Sequence, residues 1–301
     1  MKKKLLACAV LFATIPAYAY EIPNTGLEVY GSLRLMIEQT ESDGENDLKD
    51  AASRVGIKGS YDLSADLSAF AKYEVALDLA NNDTVGDMRY GHLGLKHQNY
   101  GTFAVGKVDA PFYETVGYYS DYMWWNSAPV YYTLDGVLRL EDALYYSSAD
   151  LGGLNIKALQ QIGNDEEGTE DISQLGATYT LGNLTVGAGA SLVDGDENTY
   201  GVSASYSQDA FYINGAYLDR DGSGSGIDAL IGFPSGKNLY TLGLSDFQAE
   251  NSDEDFTAAI LAYQHSLHDQ VLLWAEFMAW DGSLYGVEDS NQLNVGVNFN
   301  F

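Results

Sequence analysis

The last eleven residues, Asn291-Gln-Leu-Asn-Val-Gly-Val-Asn-Phe-Asn-Phe301, decide the fold. Leu293, Val295, Val297, Phe299 and Phe301 alternate with Gln292, Asn294, Gly296, Asn298 and Asn300. A strict period of two means a β-strand with one apolar and one polar face. The pattern recurs throughout the chain. From 27 to 37, Leu27, Val29, Leu33, Leu35 and Ile37 share one parity; Val55, Ile57 and Tyr61 do so against Arg54, Lys58 and Ser60. From 183 to 192, Leu184, Val186, Ala188, Ala190 and Leu192 oppose Gly and Thr.

Sixteen such strands can be read: 27–40, 51–61, 65–79, 86–98, 100–108, 137–148, 153–163, 172–181, 183–193, 198–207, 210–219, 226–234, 238–248, 255–265, 269–280 and 291–301. Most are near the ~10 residues that a tilted strand needs to cross a bilayer. Connections after even-numbered strands are tight turns, such as Asp62-Leu63-Ser64 and Gln208-Asp209. Those after odd-numbered strands are longer and acidic: 41–50, 80–85, 109–136, 164–171, 194–197, 220–225, 249–254 and 281–290. Together they hold 25 of the 43 acidic residues and only two basic ones, Lys49 and Arg220. A soluble sandwich does not sort charge by alternate connection, whereas a barrel with turns at one rim and loops at the other does.

Composition narrows the function classes. The chain has 301 residues, 46% of them apolar, with 15 basic and 43 acidic side chains. Residues 1–19 read as a secretory signal: Lys2-Lys3-Lys4, an apolar stretch from Leu5 to Ile15, and Ala17-Tyr18-Ala19 as the cleavage site. Its removal would leave 12 basic residues against 43 acidic, a net charge of −31, in a single domain over 20–301. Cys8, the only cysteine, would leave with it, so a disulfide framework and thiol catalysis are excluded. So acidic a chain repels nucleic acid. No stretch after residue 19 approaches the ~20 apolar residues of a membrane-spanning helix.

Three motifs then carry a resemblance. Arg89-Tyr-Gly-His-Leu-Gly-Leu-Lys-His-Gln-Asn-Tyr-Gly-Thr-Phe-Ala-Val-Gly-Lys107, Ser53-Arg-Val-Gly-Ile-Lys-Gly59 and Val29-Tyr-Gly31 are similar to motifs of the general diffusion porins of the Gram-negative outer membrane, as is the terminal Phe301. The resemblance spans essentially all of 20–301. It implies a sixteen-stranded all-β transmembrane barrel with short periplasmic turns and long external loops, usually a homotrimer, assembled by machinery that reads the C-terminal strand. It also implies that loop 109–136 folds into the lumen, presenting acids opposite a row of basic residues. The matching positions are Arg54, Arg89 and Arg139 for the wall and Asp121 for the loop. Two departures stand out: Ser32 replaces a basic residue that some members carry, with Arg34 following at the same parity, and Met123-Trp124-Trp125-Asn126 replaces an acidic stretch.

Each candidate residue also has a plainer reading. Arg54 and Arg139 fall on polar faces with Lys58 and Glu141 beside them, which suits any wet interior, while crossed rows of charge would orient polar solutes and set ion preference. Arg89 is ambiguous, because Tyr90, His92 and Lys96 share the opposite parity. Asp109, Glu114 and Asp135 are loop acids that solvation alone would satisfy. The aromatics Tyr118, Tyr119, Tyr122, Trp124 and Trp125 could pin the loop by packing, offer faces to sugars, or join an interfacial girdle. Acidic runs such as Asp165-Glu166-Glu167 could hold cations shared with lipopolysaccharide, although a hydrated anionic rim explains them as well. The histidines, His92, His97, His265 and His268, form no metal-ligand or nucleophile motif, so no enzyme, metal or cofactor is expected.

The expectation is therefore a passive channel for ions and small hydrophilic solutes in the outer membrane, cation-preferring from its net charge. A sugar-specific channel using the loop aromatics, and a non-conducting structural or adhesive barrel, stay open as alternatives.

Overall fold

Residues 20–22, 25–41, 44, 46–81, 85–162 and 171–301 are described in the computed structural model. The leader assigned to 1–19 and the run Asp165-Glu166-Glu167 lie outside them. The strands are β1 (Leu27–Thr40), β2 (Asn46–Asp50 and Arg54–Asp62), β3 (Leu67–Leu77), β4 (Val85–His97), β5 (Gly101–Asp109), β6 (Arg139–Ser147), β7 (Leu154–Gln161) and β8 (Ile172–Leu181). They continue as β9 (Leu184–Val193), β10 (Thr199–Gln208), β11 (Phe211–Arg220), β12 (Gly224–Ser235), β13 (Asn238–Ala249), β14 (Phe256–His268), β15 (Val271–Leu284) and β16 (Val287–Asn300).

Each strand pairs antiparallel with its neighbour in sequence, and β16 closes on β1 in the register Val297↔Leu35. The result is a sixteen-stranded closed barrel, which leaves no unpaired edge. Phe301 completes the seam: its backbone exchanges hydrogen bonds of 2.8 and 3.0 Å with Gly31, and its ring lies where a Cβ on Gly31 would be. That close approach accounts for the glycine of the Val29-Tyr30-Gly31 motif. Tyr20–Ile22 continues the line of β16 along β1, opposite Val29–Leu27.

Alternation turns Leu293, Val295, Val297 and Phe299 outward to lipid and buries Asn294, Asn298 and Asn300 on the inner side. Outward aromatics collect at the short-turn end, among them Phe103, Tyr146, Tyr179, Tyr206, Tyr240 and Tyr263. Rings with a polar edge suit that interface.

The structure departs from the expected pattern in several places. β2 is broken at Ala51-Ala52-Ser53, where Ala52 takes φ 66°, and Asp50 stitches the break by accepting from the Ser53 and Leu79 N–H groups. The loop expected at 281–290 is instead a strand extension, closed by a two-residue turn with Tyr285 at φ 53° and Gly286 at φ 77°. The inner face of β11 to β15 is not polar throughout. Leu218, Phe247, Phe256, Ile260 and Met278 point inward and are nearly fully buried, because something covers them.

Candidate pore constriction

What covers them is the segment between β5 and β6. Pro111 opens the short helix α1 (Pro111–Thr115), a turn of 3-10 helix follows at Gly117–Tyr119, and Pro129 opens α2 (Pro129–Leu134). α1 rests on β8, β9 and β10, and α2 on β11, β12 and β13. Phe112, Val116, Val130, Tyr131 and Leu134 join the inward apolar residues in one buried cluster.

Five wall side chains fasten this loop by its backbone, one of them Arg220, whose guanidinium donates to the Leu134 carbonyl at 3.0 Å. The first N–H groups of a helix lack intrahelical partners. For α2 the carboxylate of Asp228 supplies them, accepting from Val130 N at 3.1 Å and Tyr131 N at 3.0 Å while Ser245 donates to it at 2.7 Å. Gln174 does the same for α1, accepting from Phe112 N at 3.0 Å. Glu276 accepts from the N–H groups of Trp124, Trp125 and Asn126, and Ser203 donates to the Thr115 carbonyl at 2.6 Å. Glycines make room: a Cβ on Gly187 would sit 2.1 Å from the Thr115 oxygen and 2.4 Å from Ser203 Oγ. Gly187→Ala should therefore push α1 off the wall, cost roughly 1–3 kcal/mol as overpacking does, and lower single-channel conductance. An unchanged melting point and conductance would show that α1 tolerates displacement.

Fastened to one side, the loop faces the wall of β1 to β6 across a cavity of about 540 Å³. Arg34, Arg54, Lys72, Glu74, Arg89, Tyr90 and Arg139 line it from the wall, and Tyr113, Asp121, Met123, Trp124 and Tyr132 from the loop. Arg89 reaches it through a β-bulge: Glu74 pairs with Tyr90 but Val75 with Met88, so Arg89 is extra and turns inward beside Tyr90. Its Nε donates to Glu74 at 2.8 Å, and Tyr30 donates to the other Glu74 oxygen at 2.8 Å. The Arg34 guanidinium lies 4.7 Å over the Trp124 ring, and Arg139 4.5 Å over Tyr90. Lys72 Nζ is 3.3 Å from the Tyr90 ring centre. Asp121 accepts from Tyr113 at 2.8 Å, Tyr132 at 3.3 Å and Ser127.

The remaining candidates lie elsewhere. Lys58 sits further along β2 toward the short turns, paired with Glu28 at 3.0 Å. Asp109 accepts from Tyr90 at 2.6 Å at the foot of the loop and lies 3.7 Å from Arg139. Glu114 is held to the wall by Lys157 and Tyr145, and burial pushes its carboxyl above the ordinary value. Asp135 caps the end of α2 by accepting from Val137 N and Tyr131, and burial raises it likewise. Glu141, expected beside Arg139 on the inner face, is exposed and pairs with Lys107 at 2.9 Å, because Asp142 at φ 51° interrupts the alternation. Tyr122 packs on Tyr212, Leu230 and Leu239, whereas Tyr118 and Trp125 stay 39% exposed inside the barrel and join no girdle. Among the described residues no three His, Cys, Asp or Glu side chains converge as a metal site.

A closed barrel of this strand number, narrowed by an inward loop between charges of both signs, defines the class of outer-membrane channel proteins. Comparison with known proteins places it more narrowly: residues 6–283 match the Gram-negative porin family, and the chain belongs to that family. The major outer membrane protein of Pasteurella multocida is 31% identical over 173 residues, 51% of this chain and 47% of that protein. The porin OmpD of Salmonella typhimurium is 25% identical over 271 residues, covering 83% of this chain and 67% of its own. The chain thus spans about half to two thirds of the length of these curated relatives. In-vitro folded OmpT of Vibrio cholerae, in its trimer form, superposes with a TM-score of 0.75 at 20% identity, over 91% of this chain and 99% of its own. The protein is thus an outer-membrane β-barrel and a porin by family.

Proposed function

We propose that the protein is a passive, water-filled diffusion channel for ions and small hydrophilic solutes, needing no cofactor or energy source. The observation that supports it is the cavity between loop and wall, because apolar packing stops at the loop and charged groups line the remaining space. The constriction is set by Arg34, Arg54, Arg89 and Arg139 against Asp121. Cation preference is expected at low ionic strength, where the acidic rim concentrates cations. It should weaken with salt, as the screening length falls from about 10 Å at 0.1 M to about 3 Å at 1 M. The working unit is a homotrimer in lipid and lipopolysaccharide, delivered by assembly machinery that reads the strand ending in Phe301. In support of assembly, Gly59, Ala69, Ala71 and Gly91 leave a shallow apolar depression on the outer face, framed by Leu27, Ile57, Tyr73 and Leu93.

Single-channel recording of the purified protein in a planar bilayer under a salt gradient tests this reading. Ohmic steps are expected, Asp121→Asn lowering cation preference and Arg54→Gln raising it. Silence from a folded, heat-modifiable barrel would favour a non-conducting structural barrel instead.

A further inference from the structure

In a chain with 43 acidic residues, a buried basic side chain without a carboxylate partner calls for a physical account. Lys49, Lys157 and Arg220 illustrate the general case, each in an ion pair with a nearby acid. Among the described residues, Arg34, Arg54 and Lys72 have no carboxylate within 4.0 Å, and all three line the one cavity. The other two bases in that condition, Lys96 and Lys237, are exposed toward the short-turn rim, where water solvates them. Water does not solvate Arg34 in that way: it is 8% exposed, with its Nε on Ser32 Oγ at 2.7 Å and its face on Trp124. Among the described residues Arg54 makes only a long contact of 3.4 Å to the Ala52 carbonyl, and Lys72 lies against the Tyr90 ring.

The carboxylates of the same cavity make no ion-pair contact with them. Glu74 is occupied by Arg89 and Tyr30, and Asp121 by three hydroxyls across the gap. The three cations are therefore held by rings and short local bonds, with the single carboxylate of Glu74 offsetting several positive charges at longer range, and a passing anion would satisfy the remainder. Opposite them the loop offers Tyr113, Trp124 and Tyr132 rather than more acids.

We infer that this cavity is a binding site for small organic anions in which a carboxylate is carried on a ring, either an aromatic acid or a uronic acid. The carboxylate meets Arg54 and Lys72, and the ring lies against Trp124 and the loop tyrosines. The inference rests on the channel reading and gives it a solute class. A substrate held this way passes by hopping on and off the cation cluster, so at high concentration it slows the ion current.

The test is the open-channel current titrated with benzoate and with glucuronate, beside acetate, glucose and benzyl alcohol. Saturable reduction by benzoate or glucuronate, weak for the other three, is the expected result, and which of the two ring acids acts identifies the source. The double variant Arg54→Gln/Lys72→Met should weaken that block roughly ten-fold, the loss of about one charge-assisted contact, while Lys96→Met leaves it unchanged. Normal currents with no block, or equal block by acetate, would overturn the inference and leave the channel standing. Absence of any current would instead sink the channel reading.

Discussion

Replacing Glu276 with alanine should give a barrel that still forms but passes more current per opening, with a noisier open level and a lower melting temperature. The carboxylate is 1% exposed and is the sole anchor for the backbone of Trp124, Trp125 and Asn126 among the described residues. Removing it strands three N–H donors, each worth roughly 1–3 kcal/mol when buried and unsatisfied. Lumen water would recover part of that, so the net cost should be about 2–4 kcal/mol. The loss is local, because Gln174, Ser203 and Asp228 still hold α1 and α2. Only the span from Asp121 to Ala128 should loosen, and that span carries Asp121 and Trp124 into the cavity. Glu276→Gln retains an acceptor oxygen but sets an amide N–H₂ against backbone donors, so it should fall between the two. Conductance and heat-modifiability on gels measure both effects. An alanine variant that conducts and melts as the parent would mean the loop is held by apolar packing alone.

The barrel was legible because its cause is local: alternation of side chains along each strand, repeated sixteen times, carries the information without reference to partners. The edges shifted where a partner intervened, as at the Ala51–Ser53 break that Asp50 bridges to Leu79. Arg54 and Asp121 could be located from motif positions and do line one cavity, but Arg89 could not be settled by parity, since a bulge cancels parity. Lys72 and Glu74 lie outside the motif positions, yet they stand at alternate positions among Ala71, Tyr73 and Val75 and so carry the signal of an inward polar pair. The loop anchors were beyond this kind of reading. Asp228 and Glu276 are single acids between apolar neighbours, Ile227 and Ala229 or Ala275 and Phe277, and their partners are backbone groups 97 to 152 residues away. No spacing rule connects a strand carboxylate with a loop N–H. The small inward residues of β9 were visible, but their purpose appears only with Thr115 lying against Gly187.

Glu74→Gln and Asp121→Asn remove the same charge from the same cavity, yet they should differ sharply in stability. Glu74 is 3% exposed, bonded to Arg89 and Tyr30, and lies in the cavity wall with Arg34, Arg54, Lys72 and Arg139. Among the described residues it is the only carboxylate that the wall itself contributes to that lining. Neutralising it leaves the cations to repel one another and weakens a charge-assisted bond. Breaking a buried pair costs about 3–5 kcal/mol, and a water-filled lumen places this one at or below the low end. Asp121 faces hydroxyl groups of Tyr113, Ser127 and Tyr132, with no cation in ion-pair contact among the described residues, and an asparagine oxygen can still accept from them. Both variants should move the reversal potential toward anions by a comparable amount, since each adds one net positive charge at the proposed constriction. Only Glu74→Gln should also lower the temperature at which the barrel unfolds on gels, and low ionic strength should widen that difference because repulsion is then less screened. Equal melting of the two variants would mean that the wall cations are stabilised by ring contacts and solvent rather than by Glu74.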